Sequence, residues 1–151
     1  MRVEGTFRFP APRETVFALL LDPQVLAGCI PGCERLEAIG PDQYEATVKV
    51  GVGAVKGVYK GQVQLVDRRE PEAFRMLVQG KGGPGFIKGE ATVTITPVAD
   101  APDECDVVVV GDGQVGGLIA GVAQRLLGGV ATMMLNQFFE CLRGKAALPR
   151  V

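Results

Sequence analysis

Residues 114–142, QVGGLIAGVAQRLLGGVATMMLNQFFECL, decide the fold. Their apolar positions recur at gaps of three and four residues, which is the spacing of one face of an α-helix. Polar residues lie on the opposite side, so the predicted helix is amphipathic. At about 1.5 Å per residue it would be about 42 Å long, and it needs a broad apolar surface to cover. The positions that predict this helix are Ile119, Ala123, Leu126, Val130, Met134, Phe138 and Cys141.

The rest of the chain predicts a sheet that supplies this surface. Apolar and polar residues alternate with a period of two, as in half-buried strands, over residues 2–9, 44–52, 55–65, 74–79 and 90–95, and the valine-rich run 106–111 adds a final strand. Two short helices are predicted after the first strand. The fold class is therefore α+β, a helix-grip arrangement in which a curved antiparallel sheet of about six to seven strands wraps around the long C-terminal helix.

The composition fits one domain and gives no sign of a nucleic-acid partner. The 151 residues suit a single domain, which we predict at residues 1–144, followed by a short tail at 145–151. Lys and Arg total 16 against 17 for Asp and Glu, so no basic surface is predicted. No apolar leader follows Met1, and the four cysteines do not suggest a disulfide framework, so we expect reduced thiols and a cytoplasmic location.

Histidine is absent from the chain. This excludes Ser–His–Asp and Cys–His catalysis and imidazole metal sites. The predicted inward positions also carry almost no ionisable group besides Tyr44 and Tyr59, whose hydroxyls would be available to a ligand carbonyl. We therefore predict no catalytic residue, no metal ligand and no cofactor. A cyclase or hydrolase on the same fold is the alternative.

Small residues at inward strand positions, such as Gly57, Gly61 and Gly80, predict open space between the sheet and the long helix. The alternative interpretation is that these glycines let the sheet bend. Apolar neighbours would make the space a hydrophobic cavity suited to an apolar small molecule. The predicted ligand-binding residues are Val48, Val50, Tyr59, Met76, Phe86, Leu126, Val130, Met134 and Phe138.

Several short segments carry a family resemblance. The turn GCIPGCE at residues 28–34 resembles the corresponding turn of the CoxG family, named for the G subunit of carbon monoxide dehydrogenase. Four further segments agree with that family: GFIKGEA at 85–91, QVGG at 114–117, QRLLGG at 124–129 and LNQFF at 135–139. Together they cover nearly the whole predicted domain.

The resemblance implies a fold and a set of partners. The fold is that of the helix-grip superfamily of polyketide cyclase-like and START-like lipid-binding proteins (SRPBCC, Bet v 1-like). The partner is an aerobic molybdenum-containing carbon monoxide dehydrogenase or a related molybdenum hydroxylase, and the ligand is an apolar molecule such as a quinone or a lipid. Family members commonly continue into a tail that contacts the membrane. In this chain only residues 145–151 follow, so we expect at most peripheral contact with the inner face of the membrane and no spanning segment.

Two pairs of small residues have alternative interpretations. Cys29 and Cys33 flank Pro31 and Gly32 with a spacing that differs from a C-x-x-C motif, so we expect structural packing rather than metal binding or redox chemistry.

On the long helix, Gly121 and Gly128 fall on the side away from the sheet. They predict a face for a partner, either a second copy of the chain or a larger enzyme, while a protein with a filled cavity that serves only for docking is a further alternative.

The glycine-rich segment at residues 82–85 is predicted to be more than a two-residue turn. It is either a longer hairpin loop or a mobile flap over the cavity, with Phe86 as its apolar latch. No Gly-Lys-Ser/Thr follows it, so a phosphate-binding loop is excluded.

Overall fold

The sheet of the computed structural model, which describes residues 1–51, 53–122 and 124–147, has seven strands. Consecutive strands from β2 onwards pair as antiparallel hairpins, and β1 pairs with β7 at the far edge, giving the order β1-β7-β6-β5-β4-β3-β2. The strands are β1 (Arg2–Phe9), β2 (Cys33–Gly40), β3 (Gln43–Val50), β4 (Gly57–Arg69), β5 (Ala73–Gly82), β6 (Gly85–Val98) and β7 (Ala101–Gly116).

Three α-helices accompany the sheet within these described ranges: α1 (Arg13–Leu21), α2 (Pro23–Cys29) and α3 (Gln124–Ala146). Asp22 begins α2, because its side chain accepts a hydrogen bond from the Gln24 amide at 2.9 Å and proline at the first helical position needs no donor. Short 3₁₀ turns lie at Gly53–Val55 and Gly117–Gly121. The predicted helix-grip arrangement is confirmed.

One part of the hydrophobic core forms where α3 crosses β1. The Phe139 ring stacks on Phe7 with the ring centroids 4.1 Å apart, and it meets Phe9 edge to face at 6.0 Å. One turn later Leu142 is fully buried, and the Arg143 guanidinium donates to the Arg8 carbonyl at 3.0 Å. The alternation of β1 explains this contact, because Phe7 and Phe9 share the inner face while Arg8 points outwards.

The long helix is shorter than predicted. Residues 114–116 belong to β7, where Gly116 pairs with Phe86, and α3 has 23 residues, about 35 Å at the usual rise. Its buried face is also rotated from the predicted one, since Leu127, Phe139 and Leu142 are buried while Leu126 is 53% exposed. Adjacent apolar pairs such as Leu126 and Leu127 leave the helical phase undetermined by the sequence. Val52, Ala123 and residues 148–151 of the predicted elements lie outside the described residues.

One local prediction was wrong, and one strand was missed. The segment at residues 82–85 is a two-residue hairpin turn, because Gly82 pairs with Gly85 and only Gly83 and Pro84 lie between the strands. Gly85 has a φ of 148°, a conformation that glycine adopts without strain. Strand β2 was not predicted as a separate strand, since it lies at the edge of the sheet and is mostly exposed, without a clean alternation.

All four cysteines were expected to be reduced, and this expectation is wrong for two of them. Cys29 and Cys141 form a disulfide, with their Cα atoms 5.4 Å apart and a separation of 112 positions in sequence. The bond joins the last residue of α2 to α3. Cys33 and Cys105 remain free thiols. Sequence spacing could not reveal the pairing, because it depends on how α3 crosses the sheet.

We expect Phe139→Ala to lower the free energy of unfolding by about 3–5 kcal/mol, because it leaves a cavity among Phe7, Phe9 and Leu142. Phe86→Ala is the matched control, since the Phe86 ring is 48% exposed on the outer face and its loss should cost much less. Urea unfolding followed by circular dichroism measures both. Equal losses in the two variants would show that α3 does not depend on Phe139 for its position.

Candidate functional site

An apolar pocket lies between the inner face of the sheet and the helices. Its volume is about 220 Å³. Every strand except β1 contributes to its wall, together with all three helices. The lining residues are Leu20, Leu26, Ile30, Leu36, Tyr44, Val63, Leu65, Phe74, Met76, Val93, Val109, Leu135, Phe138 and Phe139.

The period of the strands explains the apolar wall. On β4 the residues Val63 and Leu65 face inwards, and on β5 the residues Phe74 and Met76 do the same. Their neighbours on the same strands point outwards. On β6 and β7 the inward residues that line the pocket are valines. The sheet therefore presents one continuous hydrocarbon surface to the helices.

Tyr44 brings the pocket its one hydroxyl among the described lining residues, and that hydroxyl already has a partner. It donates to the Leu21 carbonyl at 2.8 Å. Burial raises the pKa of Tyr44 above its usual value of 10.0, with a smaller contribution from the nearby Asp42 carboxylate, so the group stays neutral at physiological pH. Tyr59 is committed in the same way, because it donates to the Val55 carbonyl at 2.7 Å. Neither hydroxyl is therefore a free donor for a ligand.

The size of the pocket restricts what it can hold. A cavity of about 150 Å³ lined by apolar residues is known to take up benzene, so 220 Å³ accommodates one ring or a short hydrocarbon segment. Pockets for drug-sized ligands are usually about 300–1,000 Å³. In the observed conformation the pocket therefore fits only part of a larger apolar molecule.

Two larger depressions, of about 750 and 440 Å³, lie along the strands and are open to solvent. Their walls include outward side chains such as Gln79, Lys88 and Glu90. A site for an apolar ligand needs enclosure and a dry wall. The pocket under α3 is less open to solvent than these two depressions and its wall is almost wholly apolar, so we take it as the candidate site.

Of the predicted ligand-binding residues, Met76 and Phe138 line this pocket. Val50 and Val130 instead pack against a separate small cluster formed by Val55, Ile119 and Leu127. The remaining predicted residues also lie outside the pocket wall: Val48 pairs with Tyr59 near the ends of β3 and β4, Met134 is half-buried on α3, and Phe86 and Leu126 are half-exposed.

The structure places Phe86 and Leu126 away from this pocket for two different reasons. Phe86 falls on an outward position once β6 begins at Gly85, and its ring lies over Gly116, where any Cβ would clash with it. Leu126 lies one position away from the buried Leu127 on α3, about 100° around the helix.

The predicted glycine-lined cavity is also corrected. No glycine contributes to the described wall of the apolar pocket. A Cβ at Gly57 would come within 2.9 Å of Pro84, and one at Gly89 would clash with the strand beside it. These glycines therefore permit close strand approach and curvature, which was the alternative interpretation.

Sequence reasoning missed the contribution of α2 and β2 to the pocket. Leu26, Ile30 and Leu36 line it and remain half-buried, so they lie on the side where it approaches solvent. The sequence feature that could have indicated this contribution was the turn at residues 28–34, which connects α2 to β2. Gly32 has a φ of 73°, and its carbonyl accepts from the Lys49 amide at 2.8 Å, which holds the end of α2 against β3.

Outside the pocket the described residues offer little for chemistry. Among residues 1–51, 53–122 and 124–147, no group of three or more His, Cys, Asp or Glu side chains could hold a metal ion. The free thiol of Cys105 is fully buried, and burial together with Asp106 raises its pKa to about 11. That thiol is protonated at neutral pH and therefore unreactive.

Comparison with known proteins relates this geometry to a family. The CoxG family, described as the G subunit of carbon monoxide dehydrogenase, matches residues 5–147. A conserved protein from Geobacillus kaustophilus has a similar crystal structure, with 35% identity, a TM-score of 0.92, and coverage of 97% of this chain and 95% of that one. None of the curated proteins matches.

More distant structures share the fold. A START superfamily protein from Mycobacterium smegmatis has 18% identity and a TM-score of 0.73, and 96% of each chain is covered. The ZhuI aromatase/cyclase from Streptomyces sp. R1128 has 18% identity and a TM-score of 0.70, with 97% of this chain and 93% of that one covered. At this level of identity the likeness concerns the fold alone.

We expect the free energy of unfolding to fall as the pH rises from 9 to above 11. The pKa of Cys105 is raised to about 11 from 9.0, and that of Tyr44 is raised above 10.0, so the unfolded chain releases these protons first and is favoured. Below pH 9 both groups are protonated in the folded and the unfolded chain, so their contribution to the free energy of unfolding is fully present. Cys105→Ala and Tyr44→Phe should each flatten the dependence in urea titrations. An unchanged slope in both would refute this assignment.

Proposed function

We propose, since the chain belongs to the CoxG family, that it is a non-catalytic accessory protein that binds an apolar molecule between its sheet and α3. The observation that carries this proposal is the apolar wall of the pocket, in which the Tyr44 hydroxyl is already bonded to Leu21. Such a wall offers van der Waals contact and burial, and its described residues include no acid–base pair.

The partner is an aerobic molybdenum-containing carbon monoxide dehydrogenase or a related molybdenum hydroxylase. The description of the family supports this partner. The outer side of α3 and the turn before it provide a surface for docking. Leu118 is 81% exposed there, Leu126 and Met133 are exposed as well, and a side chain at Gly121 or Gly128 would meet no other atom. The same surface would serve a homodimer.

The ligand is a quinone or a lipid. A cavity of 220 Å³ holds a ring or a short stretch of chain, so the remainder of such a molecule would extend past Leu26 and Leu36 towards solvent. A quinone would let an accessory protein of this kind carry electrons away from an oxidising enzyme. Open space in the pocket also favours ligand binding over a docking protein whose cavity is filled by its own side chains.

The protein would work in the cytoplasm, at the inner face of the membrane where apolar electron carriers reside. None of the described helices combines the length and the hydropathy that crossing a bilayer requires. A peripheral position would let the pocket exchange an apolar ligand with the bilayer.

We expect Met76→Trp to abolish or strongly weaken the uptake of decylubiquinone, because the larger side chain fills the pocket. Leu77→Trp is the matched control, since Leu77 is the next residue on β5 and is exposed on the outer face. Isothermal titration calorimetry in a non-micellar concentration range measures both variants against the wild type.

Two outcomes would contradict the proposal. Binding that is weakened equally by both substitutions would place the ligand outside the pocket. The absence of binding to the wild type, both for decylubiquinone and for a fatty acid, would remove the carrier function. Circular dichroism on each variant verifies that the sheet is retained.

A further inference from the structure

We infer that the Cys29–Cys141 disulfide is a redox-cleavable latch on the apolar pocket, opened by a dithiol reductant and closed again on oxidation. This inference rests on the proposed function, because it concerns access to the same pocket. Nothing in the family resemblance assigns a role to this pair of cysteines.

The disulfide lies next to residues that line the pocket. Cys29 ends α2, between Leu26 and Ile30, which both line the pocket, and Cys141 follows Phe138 by one helical turn on α3. The disulfide therefore joins the two helices that face each other at the half-buried side of the pocket. With the bond intact, the two Cα atoms are held 5.4 Å apart.

The disulfide is the one covalent bond between α2 and α3 in the described part of the chain, and their other contacts are non-covalent. Within the described residues, no salt bridge joins them, and Cys141 Sγ lies 3.7 Å from the Gly28 carbonyl, a distance at which a reduced thiol makes only a weak hydrogen bond. The other end of the turn is held by the hydrogen bond from Lys49 to Gly32. Reduction therefore removes the covalent restraint on α2, while the turn stays attached to the sheet and Phe139 keeps α3 on β1.

The small volume of the pocket explains why the separation of α2 from α3 would affect ligand binding. At 220 Å³ it is smaller than the usual ligand pocket of about 300–1,000 Å³. An apolar molecule larger than a single ring fits wholly inside the pocket only if α2 and α3 separate, and otherwise part of it stays outside. A covalent bond across that boundary opposes the separation, so the oxidised protein is the closed form and the reduced protein is the form that opens.

The chemistry is thiol–disulfide exchange with a dithiol. A thiolate of the reductant attacks Cys141 Sγ, which belongs to a half-buried residue, and the bond to Cys29 breaks as a mixed disulfide forms on Cys141. Cys29 leaves as a thiolate and takes up a proton. The second thiol of the reductant then displaces Cys141, so two electrons and two protons pass to the protein and the reductant ends as a disulfide.

The free cysteines do not compete for this exchange. Cys105 is fully buried and its pKa is raised to about 11. Burial also raises the pKa of Cys33 above 9.0. Both thiols are therefore protonated at neutral pH and poor nucleophiles, which leaves an external dithiol as the reactant.

The test compares oxidised and dithiothreitol-reduced wild-type protein in the binding of N-phenyl-1-naphthylamine, an uncharged aromatic probe that fluoresces in apolar surroundings. Mass spectrometry after alkylation verifies the redox state of Cys29 and Cys141. We expect reduction to tighten the apparent affinity roughly tenfold or more, because an open state populated to ~10% or less limits the affinity of the oxidised form.

Cys141→Ser should bind the probe tightly with or without reductant, and Cys33→Ser should behave like the wild type. Hydrogen exchange of the α2 amides is a second readout, and it should become faster on reduction while exchange in β5 stays slow. Equal affinity in the two redox states, with binding retained, would overturn the latch and leave the proposed function intact. Failure to bind this probe, decylubiquinone or a fatty acid in either state would overturn the proposed function and the latch with it.

Discussion

The contact between Phe139 and the two phenylalanines of β1 fixes where α3 lies over the sheet. With ring centroids 4.1 Å from Phe7 and 6.0 Å from Phe9, Phe139 is 2% exposed and anchors the C-terminal half of the helix. Because β1 pairs with β7, this contact places α3 at one edge of the seven-stranded sheet. The strands β2 to β5 at the other side are then covered by α1, α2 and side chains that do not fill the space completely.

The apolar pocket is the consequence of that offset. Its wall comes from the inward positions of six strands, and the helices close it from above through Leu26, Phe138 and Phe139. The Cys29–Cys141 bond lies at the junction of two of these helices. The Phe139 contact, the pocket and the disulfide thus all lie on the inner face of the sheet.

Much of the fold could be predicted from the sequence, because alternation in strands is a local signal. The period of β5 places Met76 correctly on an inward position, and the turn at residues 28–34 indicates the family without any structural information. The phase of α3 could not be predicted in the same way. Its paired apolar residues, such as Leu126 with Leu127 and Phe138 with Phe139, fit two faces equally well, and only contact with β1 chooses between them.

The remaining differences between the predicted and the observed structure involve contacts between residues that are far apart in the sequence. The disulfide joins positions 112 apart, and β2 is recognisable as a strand chiefly through its pairing with β3. The contributions of Leu26, Ile30 and Leu36 to the pocket depend on both. Glycines at inward positions predict empty space, whereas the structure uses them where neighbouring strands come closest, as at Gly89 on β6 beside Asp112 on β7.

We propose that this protein carries an apolar molecule in the pocket beneath α3. The decisive measurement is native mass spectrometry of the protein purified from its natural host, followed by organic extraction and identification of the released molecule. We expect one stoichiometric apolar ligand, a quinone or a lipid, that is lost from the Met76→Trp variant and retained by Leu77→Trp. An empty protein that also takes up neither class of molecule when they are supplied would contradict it.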